Sequence, residues 1–133
     1  MKTKNKAARP RASKGAIVVI EDNDATLDFL KEALIHLGYT PLLAEEGGKG
    51  VELCRREDVR LVLTDYYLPL MSGVEVAQKV KALPHPLPVV LTSASYNEPE
   101  RDLFDKGVDY FLNKPFGLKD LELILEEALH SKA

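Results

Sequence analysis

Glu21 and Asp22 follow the apolar run Ala16 to Ile20, Asp65 follows Leu61 to Thr64, Thr92 closes Val89 to Thr92, and Lys114 follows Asp109 to Asn113. Three carboxylates, a hydroxyl and an ammonium thus stand at the ends of four short runs that read as strands. If those strands run parallel in one sheet, their carboxyl ends share an edge, and open α/β sheets bind ligands at that edge. With strand order 2-1-3-4-5, the first and third strands flank the point where the order reverses, so Glu21, Asp22 and Asp65 converge in one crevice. Carboxylates that close repel one another and call for a hard cation. Mg2+ suits them, since it accepts one or two carboxylates, a carbonyl and several waters at about 2.1 Å. A carboxylate beside such a cation and an ammonium can attack phosphorus, because both mask the negative charge of a phosphoryl group.

The elements that must position these residues are legible in periodicity. Ala16 to Ile20 is continuous and rich in β-branched residues, as expected of a parallel strand covered on both faces. Asp24 is the expected cap of a helix in which Leu27, Leu30, Leu34 and Leu37 recur at helical spacing, with Gly38 at its carboxyl end. A strand near Thr40 to Ala44, a helix near Gly48 to Arg56 and the strand Leu61 to Thr64 come next. Pro69 and Gly73 mark a loop before a helix from about Val74 to Leu83, and Pro84 to Pro88 form a stiff connector into Val89. Asn97 and Glu100 resemble a capping box, with Pro99 tolerable in the first turn of a helix reaching Lys106 before Gly107. Asp109 to Asn113 is the fifth strand. In the last helix Leu118, Leu121, Ile124, Leu125 and Ala128 share the core side and leave Leu123 roughly opposite. Five βα units predict a doubly wound parallel sheet with helices on both faces.

The segments IEDND, LTDYYLPLMSG, LTSAS and NKPF, in this order and spacing, resemble the receiver domain of two-component response regulators over residues 15 to 131. The resemblance implies a flavodoxin-like (βα)5 fold of class α/β, with a five-stranded parallel sheet in the order 2-1-3-4-5. It implies that Asp65 is the phosphoacceptor, charged by a sensor histidine kinase or phosphotransfer protein. Glu21 and Asp22 are then the acidic pair that holds Mg2+ together with Asp65 and the backbone carbonyl of Tyr67. Thr92 becomes the phosphate-sensing hydroxyl and Lys114 the family's lysine, followed by a cis peptide at Pro115. Output is expected through the face of the fourth helix, fifth strand and fifth helix (α4-β5-α5), toward a downstream target protein or a homodimer. Such a protein is an autocatalytic phosphoacceptor with slow self-dephosphorylation and no turnover enzyme. Three positions depart from the commonest pattern: Ser72 stands where an acid is frequent, Phe111 where tyrosine is frequent, and Tyr67 is bulky for its place over the phosphoryl group.

Other functions fit less well. A pseudo-receiver acting as a phosphorylation-independent binding module would typically lack the acceptor or the metal acids, which are present. A phosphatase of the haloacid dehalogenase type needs a second acid two residues after its nucleophile, where Tyr67 stands. A flavodoxin-like cofactor binder wants glycine and backbone amides after the first strand, whereas Glu21 to Asp24 would repel phosphate.

Composition bounds the rest. A chain of 133 residues with 45% hydrophobic and 29% charged content is sized for one globular domain. It leaves no room for an effector domain, so the expectation is a stand-alone regulator or a receiver cut from a longer protein. Residues 1–14 hold six of the 18 basic side chains and none of the 21 acids. They read as a basic, disordered N-terminal tail before a receiver domain at 15–133. The acidic remainder argues against nucleic acid as a partner of this domain. A single cysteine, Cys54, forms no internal disulfide, and His36, His85 and His130 share no ligand spacing, so a cytoplasmic location is expected. No apolar run approaches the roughly 20 residues that span a bilayer, and no membrane partner is expected.

Overall fold

The computed structural model describes residues 12–94 and 100–130. The strands are β1 (Ala16–Ile20), β2 (Thr40–Ala44), β3 (Val59–Asp65), β4 (Val89–Ser93) and β5 (Tyr110–Asn113). Alternating with them are α1 (Asp24–His36), α2 (Gly47–Leu53), α3 (Gly73–Lys81), α4 (Glu100–Asp105) and α5 (Leu118–His130). All strand pairs are parallel, and the sheet order is β2-β1-β3-β4-β5, the expected flavodoxin-like arrangement.

Alternation along the central strands divides the interior in two. Val18, Ile20, Val62 and Leu91 face α2, α3 and α4, joining Val51, Val76, Val80 and Leu103. Ile17, Val19, Leu63 and Val90 face α1 and α5, joining Leu30, Leu34, Leu121 and Leu125. Burial on both faces explains why these strands are apolar throughout rather than alternating with polar residues. β2 lies at the sheet edge, where Pro41 is tolerated because one side of the strand has no partner to satisfy.

Several element ends differ from the sequence expectation, each for a local reason. The cap of α1 is Asn23 rather than Asp24: Asn23 accepts from the Thr26 amide and leaves Asp24 as a first-turn acid. Leu118 is exposed at the start of α5, too early in the helix to reach the sheet. β5 begins at Tyr110, one residue later than expected; the Asp109 amide still donates to Val89 O at 2.9 Å, and its carboxylate accepts from Lys81 Nζ at 2.6 Å and from the Val89 amide at 2.9 Å. α2 stops at Leu53, with Cys54 as its buried C-cap, and α3 stops at Lys81. β3 extends beyond the expected run at both ends, to Val59 and Asp65. Ser72 and Glu75 form a reciprocal capping box on α3. The Asn97 capping box and residues 1–11 of the basic segment lie outside the described residues. Ser13 and Lys14 bond to the body, through Thr40 Oγ1 to Ser13 Oγ at 2.8 Å and the Lys14 amide to Gly38 O at 2.9 Å.

Candidate functional site

At the carboxyl edge of the sheet, β1 delivers Glu21 and Asp22, β3 delivers Asp65, and the loop after β5 delivers Lys114. The sheet register fixes the depth of each. Asp65 is the register partner of Thr92 on β4, and the Tyr66 amide donates to the Thr92 carbonyl at 2.9 Å. α3 presses its first residue against the same strand end, with the Gly73 amide donating to Tyr66 O at 2.8 Å.

The three acids come together: one carboxylate oxygen from each of Glu21, Asp22 and Asp65 lies within 4.8 Å of the others. Glu21 is 1% exposed and Asp65 7%, whereas Asp22 stands at the open rim. Lys114 Nζ donates to Glu21 Oε1 at 3.0 Å and lies 3.4 Å from Asp65 Oδ2. The second Glu21 oxygen accepts from the Asn23 amide at 3.2 Å. Burial, followed by the charge of Glu21, pushes the Asp65 carboxyl above its ordinary value, against the pull of Lys114. Burial opposes the Lys114 ammonium too, but the hydrogen bonds and charges of Glu21 and Asp65 outweigh it and hold Lys114 above the usual lysine value.

Among the described residues, Glu21 and Asp65 share the Lys114 ammonium and are largely shut away from water, while Asp22 adds a third negative charge at the rim. Such a set is under-neutralised, and its hard oxygen donors match a small divalent cation such as Mg2+. Among the described residues, Glu21, Asp22 and Asp65 form the carboxylate group that could hold it.

The remaining expected residues sit around this group. Thr92 and Ser93 are each 1% exposed at the end of β4, and the Ser93 carbonyl accepts from the Lys114 amide at 3.0 Å. The Lys114–Pro115 peptide is cis. The Tyr67 side chain does not enter the acid cluster: it is 56% exposed, with its ring 4.7 Å from that of Tyr66. Phe111 is half-buried, its ring 5.2 Å from that of Phe104. His36, His85 and His130 are exposed, and none belongs to the acid cluster.

Two features were absent from the sequence reading. One is Asn23, which caps α1 and touches Glu21. The other is an apolar cavity of about 400 Å³ beside Lys114, lined by Ala25, Thr26, Phe29, Ala94, Pro115 and Phe116. Its signal is Phe29, a large apolar residue off the Leu27, Leu30 and Leu34 stripe of α1.

Comparison with known proteins places these features in context. The family described as response regulator receiver domain matches residues 17–126. The cyclic di-GMP phosphodiesterase of Thermotoga maritima is 36% identical over 118 residues, covering 87% of this chain and 31% of that protein. The response regulator MprA of Mycolicibacterium vanbaalenii is 30% identical, covering 79% of this chain and 46% of that protein. The chain thus spans less than half the length of these curated relatives. Among solved structures, the receiver domain of a Pseudomonas aeruginosa sensor histidine kinase superposes with a TM-score of 0.80 at 25% identity, covering 88% of this chain and 98% of that one. That structure carries a magnesium ion in its active site cleft. A CheY-like receiver of Methanospirillum hungatei superposes with a TM-score of 0.79 at 29% identity, covering 89% and 95%. Among the described residues, no helix is long and apolar enough to cross a membrane.

Proposed function

This chain belongs to the response regulator receiver family of two-component signalling, and from that premise we propose that Asp65 accepts a phosphoryl group from a histidine kinase or phosphotransfer protein. The observation that carries the reading is the single ammonium of Lys114 shared between Glu21 and Asp65, at 3.0 and 3.4 Å, in a pocket of three carboxylates. Here the excess of negative oxygens supports a place for Mg2+, held by Glu21, Asp22, Asp65 and the Tyr67 carbonyl. When bound, that ion neutralises charge on the phosphoryl oxygens.

The chain's own residues do the rest. Lys114 pulls the Asp65 carboxyl down against the burial and the Glu21 charge that raise it, which favours the carboxylate oxygen as the attacking group. That oxygen forms a bond to phosphorus as the P–N bond to the donor imidazole breaks, and the imidazole leaves with the electron pair. The acyl phosphate adds about two negative charges and three acceptor oxygens. Lys114, the Thr92 hydroxyl and the Ser93 and Ala94 amides are the donors for them. The altered Thr92 and Phe111 surroundings then carry the signal to the α4-β5-α5 face, for a target protein or a second copy. In this reading residues 15–133 are the receiver, residues 1–14 are a basic tail, and the site of action is the cytoplasm.

Intact-mass measurement after incubation with a small phosphodonor and Mg2+ tests the assignment. Wild type should gain one phosphoryl group and Asp65→Asn none. Equal labelling of the two would place the acceptor elsewhere. An unlabelled wild type would leave a phosphorylation-independent binding module.

A further inference from the structure

Asn23 is the residue on which the acidic loop turns. Its backbone amide donates backward to Glu21 Oε2 at 3.2 Å. Its side-chain Oδ1 accepts forward from the Thr26 amide at 2.9 Å and from the Thr26 hydroxyl at 3.1 Å. Its carbonyl accepts from the Leu27 amide at 2.9 Å, the first bond of the α1 ladder. Extended backbone at φ −89° and ψ 119° lets one residue serve both directions.

Asp22 lies between these two sets of bonds. Its carboxylate is exposed yet stays within 4.8 Å of oxygens from Glu21 and Asp65, an arrangement that like-charge repulsion opposes. Something other than side-chain pairing must hold it there, and the backbone on either side is what the structure ties down. Of the two donors to Glu21, the Lys114 ammonium can be drawn to another anion, whereas the Asn23 amide cannot leave. A supporting group of this kind reduces the ordering that metal binding would otherwise have to impose.

We infer that Asn23 is a positioning residue for the carboxylates that hold the cation: its amide fixes Glu21, its side chain fixes the start of α1, and Asp22 is thereby held toward Asp65. The inference rests on the reading that these acids bind Mg2+. It differs from a plain helix cap in one respect. A cap alone alters thermal stability, whereas a positioning residue also alters cation affinity in protein that is fully folded.

Calorimetric titration of Mg2+ into the full chain separates the two roles, using wild type, Asn23→Ala, Asn23→Ser and Asp22→Ala below their thermal transitions. Asn23→Ala should bind Mg2+ about tenfold more weakly, the lower end of what loss of a supporting partner costs a metal site. Asn23→Ser, which caps comparably, should return to within about twofold of wild type. If Asn23→Ala does not fold, Asn23→Gly serves, because glycine keeps the amide and tolerates a cap position while losing Oδ1. Wild-type affinity in the folded Ala or Gly variant overturns the positioning role, and a loss in Asp22→Ala in the same experiment leaves the magnesium reading standing. Equal affinity of Asp22→Ala and wild type overturns the magnesium reading, and this inference with it.

Discussion

Among the described residues Lys114 is the basic group paired with Glu21 and Asp65, and its removal has a consequence separable from signalling. Glu21 is almost wholly buried, with the lysine on one oxygen and a backbone amide on the other. Lys114→Ala leaves that carboxylate short of a donor, and in the absence of Mg2+ it should cost about 1–3 kcal/mol in urea denaturation. Glu21→Gln removes the charge that needs the lysine. The double variant should therefore be more stable than the two single losses predict, and a double-mutant cycle reads the coupling directly. Additive losses would show that Lys114 contributes packing rather than charge.

At the scale of elements, the acceptor strand depends on what presses against it. A Cβ on Gly73, the first residue of α3, would stand 2.2 Å from the Asp65 carbonyl oxygen and 2.7 Å from Leu91 Cδ1. Gly73→Ala must displace either the helix or the strand end that carries the acceptor. It should lose about 1–3 kcal/mol and label more slowly than wild type with a small phosphodonor. Gly48→Ala in α2 is the contrast, since its nearest neighbour is a flexible Glu46 oxygen at 3.5 Å. It should gain about 0.5–1 kcal/mol with labelling unchanged. The element map also shows what sequence can reveal. The strands were legible because parallel central strands must be apolar on both faces, and the site followed because Glu21, Asp22, Asp65, Thr92 and Lys114 sit at their ends. Element boundaries were less legible because they rest on particular bonds: Asn23 rather than Asp24 caps α1 through Thr26, and the Asp109 carboxylate before β5 is held by Lys81, 28 positions away. Leu118 matches the apolar stripe of α5, yet the helix has not reached the sheet at its first residue. The cavity at Phe29 and Phe116 joins residues distant in sequence, so Phe29 off the α1 stripe hinted at it without revealing what lines it.

Over the whole molecule, the site occupies one edge of the sheet while α5 presents Leu123 to solvent, 55% exposed and opposite the buried Leu121 and Leu125. Leu123→Lys should leave stability within about 0.5 kcal/mol, as surface changes generally do. It should also leave Asp65 labelling intact. If the α4-β5-α5 face is the output surface, sedimentation of the phosphorylated variant, or its capture of the kinase or target, should show weakened association. Unchanged association in both assays would return Leu123 to the ordinary exposed leucines. The same layout bears on how the protein is made. Lys114 and Glu21 meet across 93 positions of sequence. A ribosome adding roughly 5–20 residues per second needs roughly 5 to 20 s to cover that interval. For those seconds a nascent chain carries Glu21 without the ammonium that pairs with it. Asp65 follows Glu21 by 44 positions and precedes Lys114 by 49, so the acceptor is made well before the lysine that stands 3.4 Å from it.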